Sequence, residues 1–323
     1  MIAMVQKTAI GVDIGGTSVK LGLVDDRGKI LLRDTFLTRD FPGRNNLLKI
    51  LSSRVLSLAA KARNLHVKVT GVGIGAPGPI DVERGFVYFF PNIPGWKNTP
   101  LKKILEKKLK LKVRIDNDAN AMALAEYLFG SGRGSRNMIA LTLGTGVGGG
   151  LVIDGKLFHG SSYSAAEIGH LKINEEGPLC GCGGHGCIET YVGNGYFVKE
   201  VQKRLAAGAK SILTTWIRRG RELTPKLVQE AASSGDVFSK KMWEETGAHL
   251  GSALAGLVDI LNPDRIVIGG GIALGGEMIF RPVRRAIAKK AFPIAVRSAR
   301  VLPAKLGADA GLVGAAALAL TQS

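Results

Sequence analysis

A glycine-rich turn near the start of the chain has the residue types of a phosphate-binding loop. The turn, Asp13-Ile14-Gly15-Gly16-Thr17, lies between two short apolar runs that predict β-strands. Glycines let backbone N–H groups come close to phosphate oxygens, and the Thr17 hydroxyl adds a donor. Asp13 could hold a Mg²⁺ that bridges two phosphates. The segment matches neither the P-loop nor the dinucleotide-binding fingerprint, and an ordinary hairpin turn is the alternative.

Two further glycine runs extend this pattern. Residues 144–150 begin with Gly144-Thr145-Gly146 and again separate two predicted strands. Two such turns on opposite sides of a cleft would clamp a triphosphate. The third run, Gly269-Gly270-Gly271, ends a strand and precedes a helix, which favours close approach to a flat base or a ribose. A packing cluster of glycines is the alternative for this third run.

Asp118 is the residue whose type and position best suit catalysis. The pair Asn117-Asp118 follows a short strand and opens an Ala-rich helix. Phosphoryl transfer needs a carboxylate that orients the attacking hydroxyl and accepts its proton, and N–H groups and cations on the phosphates. Taken alone, Asp118 could also do no more than cap its helix. The glycine turns favour the catalytic interpretation, so Asp118 is predicted to be the general base.

Closely spaced cysteines predict a structural zinc site. Three cysteines and one histidine are a usual ligand set for closed zinc sites. The predicted ligands are His170, Cys180, Cys182 and Cys187. His185, inside the cysteine loop, is the alternative fourth ligand. The metal would hold His170 near Glu189, with Glu167 one helical turn away, and so build a rigid polar wall suited to a sugar.

The order of predicted elements indicates a duplicated α/β protein. Residues 8–36 predict a three-strand meander, and residues 138–153 repeat the order of strand, glycine turn and strand. Helices are predicted at residues 45–61 and 236–261. This duplication predicts two lobes around a cleft. We place the lobes at residues 1–117 and 118–310, with the C-terminal helix, 311–323, packing back on the first lobe.

Composition and charge indicate a globular cytoplasmic protein. Neither the start of the 323-residue chain nor its apolar stretch at 315–320 resembles a signal peptide or a membrane span. The bunched cysteines suit a reducing compartment. A net charge of +18 invites a nucleic-acid function, but aromatic residues are scarce at 6%. The densest basic run, residues 101–112, has the leucine spacing of a solvated helix. We therefore expect no nucleic-acid partner and no membrane.

Taken together, the motifs resemble the ROK family (repressors, open reading frames and kinases), and within it the glucokinase branch. The resemblance runs from about residue 10 to residue 314. Besides the Asp13 and Gly144 turns, it is carried by Gly75-Ala76-Pro77-Gly78-Pro79-Ile80-Asp81, Pro91-Asn92-Ile93-Pro94-Gly95-Trp96, Asn117-Asp118-Ala119-Asn120-Ala121, Glu167-Ile168-Gly169-His170 and the cysteine motif.

The resemblance implies an actin/hexokinase-like (ribonuclease H-like) ATPase fold, in which two lobes close on a sugar and a nucleotide. It implies ATP, Mg²⁺ and a structural Zn²⁺ held through His170 and the cysteines, with Asp118 as the base. The implied sugar ligands are Gly78, Asn92, Asn117, Asp118, Glu167, His170 and Glu189. The implied phosphate and adenosine groups are Asp13, Gly15, Gly16, Thr17, Gly144, Thr145, Gly146, Gly269, Gly270 and Gly271.

The acceptor and the donor stay open at this point. Glucose is the first expectation, but N-acetylmannosamine, N-acetylglucosamine and fructose fit the same Glu/His/Glu set. Polyphosphate could replace ATP, although family members that use it typically lack the cysteine motif. A sugar-responsive repressor is a rival within the family, but repressors carry a helix-turn-helix before the first phosphate turn, and the residues before Asp13 leave no room for one. A homodimer is expected from family habit.

Overall fold

The computed structural model describes residues 7–91 and 93–321 and begins with eight strands in two sheets. These are β1 (Lys7–Ile14), β2 (Ser18–Asp25), β3 (Ile30–Leu37), β4 (Lys68–Ala76), β5 (Ile80–Asp81), β6 (Phe86–Phe89), β7 (Lys97–Thr99) and β8 (Val113–Asn117). The first five-stranded sheet has the order β3-β2-β1-β4-β8, and β5-β6-β7 form a small separate sheet. Because β1, β4 and β8 run parallel, their carboxyl ends meet at one edge.

A second five-stranded sheet repeats this order. Its strands are β9 (Met138–Leu143), β10 (Val147–Ile153), β11 (Lys156–Leu157), β12 (Arg265–Gly270) and β13 (Arg300–Pro303). They are arranged β11-β10-β9-β12-β13, so β9 corresponds to β1, β12 to β4 and β13 to β8. As in the first sheet, three strands form an antiparallel meander and two follow in parallel. The predicted duplication is confirmed.

Eleven α-helices surround the sheets within the described residues. They are α1 (Arg44–Asn64), α2 (Leu101–Leu109), α3 (Asp118–Phe129), α4 (Glu189–Val192), α5 (Asn194–Ala206), α6 (Ile212–Arg218), α7 (Pro225–Ser233), α8 (Val237–Leu261), α9 (Glu277–Lys290), α10 (Pro293–Ser298) and α11 (Ala310–Thr321). None of them is long and apolar enough to cross a bilayer.

Each sheet has its own hydrophobic core. Leucines of α1 and α2, among them Leu51 and Leu105, are buried against the first sheet. The long helix α8 and its neighbour α9 cover the second sheet with residues such as Leu250 and Val283. Each such buried side chain stabilises the fold by roughly 1.5–3 kcal/mol relative to leaving it in water.

Two small-residue helices, α3 and α11, lie between the sheets and contact each other. Although α11 follows the second sheet, it packs on β1 and β4. Conversely, α3 follows the first sheet and contacts β9 and β10 of the second sheet as well as β4 of the first. The approach is close: a Cβ added at Gly314 of α11 would lie 1.7 Å from the Ala121 carbonyl oxygen. The packing therefore requires glycine there.

Some elements differ from the expectation. The small sheet at residues 80–99 was not predicted, because strands of two to four residues show no periodicity. Strand β10 begins at Val147, inside the glycine run, so the second turn is shorter than predicted. After Gly271 the chain forms a 3₁₀ helix, Ile272–Gly275, before α9 begins. The lobe boundary at residue 117 stays a prediction.

Candidate active site

Strand register brings the predicted catalytic and phosphate residues to one edge of the first sheet. Asp13 of β1 pairs with Gly75 of β4, and Gly75 pairs with Asp116 of β8. Asn117 and Asp118, which follow directly, therefore lie at the same edge as the Asp13 turn, about a hundred residues away in sequence. The carboxyl edge of parallel strands is where ligands bind in α/β sheets.

Asp118 occupies the first turn of α3, which holds its carboxylate in place. Asn117 is the N-cap, and its Oδ1 accepts hydrogen bonds from Ala119 N at 2.8 Å and Asn120 N at 3.4 Å. The Asp118 Oδ1 also accepts from Ala119 N, at 2.8 Å. Burial raises the pKa of Asp118, and the hydrogen bonds oppose that rise. The group therefore has the features of a general base: a fixed orientation and a pKa above the ordinary carboxyl range.

Asp13 carries the second unusual carboxylate. Its burial raises the pKa of the side chain to about 6, Lys20 opposes this rise, and the nearby charge of Asp118 adds to it. No hydrogen bond to the Asp13 carboxylate is found among residues 7–91 and 93–321. A buried carboxylate without a hydrogen-bonding partner suits a bound cation, and this fits the Mg²⁺ that accompanies a nucleotide.

Both glycine turns are closed and tethered. In the first, Gly15 N donates to Ser18 O at 3.0 Å, and the Thr38 hydroxyl donates to Gly15 O at 2.8 Å. In the second, Gly144 N donates to Gly146 O at 2.9 Å, and Asn194 N donates to Gly144 O at 2.9 Å. The turns occupy equivalent places in the duplicated sheets, between β1 and β2 and between β9 and β10.

The third glycine run lines a cavity of about 520 Å³. Gly269, Gly270 and Gly271 form one wall, and Thr142 of β9 and Pro303 of β13 contribute to the others. Most of the remaining lining is alanine, leucine and isoleucine side chains. The cavity has the size and apolar character that a flat base with its ribose requires.

The polar side chains predicted to bind a sugar lie on elements of both units. Glu167 and His170 lie on one 3₁₀ turn, Ile168–His170, with Glu167 as its exposed N-cap. Glu189 begins α4, and its Oε2 accepts a hydrogen bond from Val147 N at 2.9 Å, next to the second glycine turn. On the first unit, Asn117 Nδ2 donates to the Gly78 carbonyl at 3.4 Å. Asn92, also predicted here, lies outside the described residues.

The cysteines and one histidine form a cluster with the dimensions of a zinc site. The four ligand atoms, from His170, Cys180, Cys182 and Cys187, lie within 4.8 Å of one another. The Sγ atoms of Cys182 and Cys187 are 3.6 Å apart, and Cys180 Sγ is 3.7 Å from His170 Nδ1. Tetrahedral ligands 2.3 Å from a zinc ion are about 3.8 Å apart. The residues therefore fit a closed tetrahedral Zn²⁺ site.

Two details bear on the ligand set. The alternative ligand His185 lies outside the cluster, since its Nδ1 is 3.0 Å from the Gly177 carbonyl oxygen. The Lys172 ammonium is 2.9 Å from Cys187 Sγ and would offset the negative charge of three thiolates. Because His170 faces the cluster through Nδ1, its Nε2 is left for a second contact.

Sequence reasoning missed two residues at the site. Thr142 occupies the place in β9 that Asp13 has in β1, and aligning Val12-Asp13-Ile14-Gly15 with Leu141-Thr142-Leu143-Gly144 would have found it. His159 Nε2 lies 2.7 Å from Oδ2 of Asp116, the residue directly before Asn117 and Asp118. A single histidine 43 residues away from its partner leaves no pattern in the sequence.

Known proteins show the same fold and much of the same sequence. The ROK family profile matches residues 9–322. A glucokinase of Thermotoga maritima is 37% identical over 313 residues, which cover 96% of each chain. The crystal structure of a ROK family glucokinase from Streptomyces griseus, in complex with glucose and AMPPNP, has a TM-score of 0.81 at 37% identity and covers 97% of this chain and 99% of that one.

A regulator also shares the fold. The crystal structure of a ROK family transcriptional regulator, a homologue of the Escherichia coli Mlc protein, has a TM-score of 0.88 at 26% identity. The match covers 97% of this chain and 78% of the regulator. The fold is therefore the actin/hexokinase-like fold of ROK proteins, and the chain belongs to the ROK family.

Proposed function

We propose that the protein is an ATP-dependent hexose kinase that transfers the γ-phosphate of ATP to the 6-hydroxyl of glucose. The observation that carries this proposal is the meeting of Asp118 with Asp13 at one sheet edge, close enough for the charge of Asp118 to raise the pKa of Asp13. A hydroxyl-activating base beside a cation-binding carboxylate and a glycine turn is the set that phosphoryl transfer needs. The glucokinase relatives support glucose as the acceptor.

The residues divide the reaction as follows. Asp118 accepts the proton of the sugar hydroxyl while the hydroxyl oxygen bonds to the γ-phosphorus of ATP. The bond between the γ-phosphorus and the β–γ bridging oxygen breaks, which releases ADP. Gly15 N and Gly144 N are bonded within their turns, so other N–H groups of the two turns hydrogen-bond the phosphate oxygens. Asp13 would hold Mg²⁺, which when bound offsets the negative charge of the phosphates.

Sugar recognition falls to polar groups of both units. We propose Gly78, Asn92 and Asn117 on one side and Glu167, His170 and Glu189 on the other. Carboxylates and an imidazole hydrogen-bond adjacent hydroxyls strongly and so select their orientation. His170 would serve both centres, with Nδ1 on zinc and Nε2 toward the sugar.

The nucleotide and the zinc have separate places in this proposal. The base and ribose would occupy the cavity at Gly269–Gly271, which is apolar and large enough for them. Zinc would be structural, since four protein ligands leave no open position for chemistry. A cytoplasmic location and a homodimer belong to the same proposal and rest on the family.

A coupled assay of ADP release with MgATP tests the proposal and its alternatives. Glucose, N-acetylglucosamine, N-acetylmannosamine and fructose are compared at equal concentrations on folded, zinc-loaded protein. We expect kcat/KM for glucose to exceed that of each other sugar by at least about tenfold. Preference for an N-acetylated sugar or fructose would correct the acceptor.

A sugar-responsive regulator without catalysis is the second candidate, favoured by the likeness to the longer ROK regulator. Absence of turnover with every sugar, together with sugar binding measured by calorimetry, would support the regulator and contradict the kinase.

A further inference from the structure

A hydrogen-bond network behind the proposed base joins the two halves of the chain. Asp116, the buried residue before Asn117, is only 3% exposed. Its Oδ1 accepts hydrogen bonds from Asn117 N at 2.7 Å and Asn120 Nδ2 at 2.9 Å. Its Oδ2 lies 2.7 Å from His159 Nε2. Both oxygens are thus engaged, and two of the three donors belong to the cap and the first turn of the helix that carries Asp118.

The third donor comes from the other half of the molecule. His159 lies in residues 158–167, the segment after β11 that we call the bridging loop. The loop has left-handed backbone at Gly160, Tyr163 and Ala166, with φ of 69°, 60° and 66°. Tyrosine and alanine do not favour that conformation on their own, so contacts elsewhere must maintain it. Ala165 N donates a hydrogen bond to His159 O at 3.0 Å, which joins the two ends of the loop.

The bridging loop lies close to groups of both units. The Tyr163 hydroxyl is near Glu83, in the turn between β5 and β6 of the first unit. The last residue of the loop is Glu167, a proposed sugar ligand on the second unit. His159 and Glu167 therefore belong to one short segment, and His159 is bonded to Asp116.

We propose that His159 is a positioning residue for Asp118, which it orients through the Asp116 carboxylate, and that the bridging loop sets the base against the sugar wall. This inference rests on the proposed kinase function. His159 would not touch the reacting atoms. Its Nε2–H donor would hold Asp116, and Asp116 would hold the backbone of Asn117 and the side chain of Asn120, which fix the first turn of α3.

The physical reason is the cost of leaving a buried carboxylate oxygen unpaired. Without the imidazole donor, Asp116 Oδ2 would have no partner at its present position and would turn toward water or another donor. Such a rotation of the Asp116 side chain would break its hydrogen bonds with Asn117 N and Asn120 Nδ2. The hydrogen bond with Asp116 raises the pKa of His159, which favours the charged donor and agrees with this role. Displacement of a catalytic group by about 1 Å can reduce turnover by about 100-fold.

A pair of amide variants tests this role. In His159→Gln the amide nitrogen sits about as far from the backbone as Nε2 does, whereas in His159→Asn it is about one bond too short. Both side chains are polar and similar in volume, so neither leaves a charged or apolar group in the loop. His159→Ala completes the set. Steady-state kinetics are measured with the sugar that the wild type uses best, and thermal unfolding is followed in parallel.

We expect His159→Asn and His159→Ala to lower kcat by about 10- to 100-fold, with KM for MgATP within about threefold of wild type. His159→Gln should recover kcat to within about threefold of wild type. A purely structural role would lower the unfolding temperature and leave kcat at 25 °C unchanged, which would overturn the inference. Equal loss in Gln and Asn would also overturn it, because the imidazole itself would then be required.

Hydrogen–deuterium exchange separates this inference from the proposed function. Amides of the bridging loop and of Asn117 should exchange at least about tenfold faster in His159→Asn than in His159→Gln, with or without any kinase activity. If the wild type phosphorylates no sugar but this difference is present, the kinase proposal fails and the anchoring by His159 stands. If exchange is the same in both variants, the anchoring fails whatever the activity is.

Discussion

The two five-stranded sheets share one strand order and differ in the residue before each glycine turn. Asp13 and Thr142 are each the second-last residue of the strand that leads into the turn. Each pairs with a glycine of the neighbouring parallel strand, Gly75 or Gly269. Duplication of the backbone thus provides two turns rich in N–H groups, but only the first has a carboxylate at this strand position. The carboxylate beside the second turn, Glu189, is bonded to Val147 N, whereas Asp13 has no such hydrogen bond among the described residues.

The helices that follow the two sheets show a second difference. Helix α3 leaves the first sheet and packs partly on the second, and α11 leaves the second sheet and packs on the first. Of these two helices only α3 begins with an acid, Asp118, whereas α11 begins with Ala310. Its Gly311 instead makes room for Asp13, since a Cβ there would lie 2.7 Å from Oδ2. Helix α3, which carries the proposed base, contacts both sheets and is positioned by both.

The largest effect is expected for the acid that has no counterpart on α11. Asp118→Asn should lower kcat by about 10²- to 10⁴-fold, because the amide cannot accept the proton of the sugar hydroxyl. Glucose binding, measured by calorimetry, should persist within about tenfold. Near-normal kcat in this variant would show that another group is the base.

Asp13→Asn tests the carboxylate that distinguishes the first turn. Loss of the proposed cation ligand should lower kcat/KM for MgATP by roughly 100-fold. The same change should stabilise the ligand-free protein at pH 7. The folded pKa of about 6 lies above the ordinary 3.8, so ionised Asp13 costs the folded state about 2–3 kcal/mol at pH 7 and nothing below about pH 4.

The stability of the wild type should therefore contain a component that falls as pH rises from about 4 to about 6, and Asp13→Asn should lack it. Urea unfolding at pH 4.5 and pH 7 measures the difference. A variant that is less stable than wild type at pH 7 would contradict the assignment of a strained, buried carboxylate.

The cysteine cluster exists only in the second unit, and its loss should affect sugar more than nucleotide. Cys182→Ser should remove the bound zinc and raise KM for glucose about tenfold, through disorder around Glu189, with a smaller change for MgATP. Glu175→Gln, an exposed change in the same region, is the matched control. Elemental analysis that finds no zinc in the wild type would disprove the metal site.

Thr142→Val should have the smallest effect. The substitution removes the hydroxyl that stands where the first sheet has Asp13, while it keeps the shape of the side chain. We expect KM for MgATP to rise about two- to tenfold, the range of one neutral hydrogen bond, with kcat nearly unchanged. An effect as large as that of Asp13→Asn would mean that Thr142 and Asp13 contribute equally to nucleotide binding, which would contradict the proposed difference between the two turns.

Much of this fold could be predicted from local sequence. The strand, glycine turn and strand order is visible in both units, and the leucines of residues 101–109 predict the buried face of α2. Close spacing predicted the cysteine cluster, and the structure brings His170 to it although His170 lies ten residues before Cys180. These features are local, so periodicity and spacing reveal them.

What could not be predicted depends on contacts between distant segments. The hydrogen bond between Asp116 and His159 joins residues 43 positions apart in sequence. Asp116 lies in the first sheet, and His159 follows the last strand of the meander in the second. The raised pKa of Asp13 depends on burial beneath α11 and on the charge of Asp118, neither of which a turn sequence specifies. The packing of α3 on the second sheet also has no signal in the helix itself, which is simply rich in alanine.

The central claim is that the protein transfers the γ-phosphate of ATP to glucose with Asp118 as the base, and ³¹P NMR of the reaction mixture tests it most directly. Wild-type protein with MgATP and glucose should produce ADP and glucose 6-phosphate in equal amounts, and Asp118→Asn should produce neither at a comparable rate. ADP with inorganic phosphate but no sugar phosphate, or equal product from both proteins, would contradict the account.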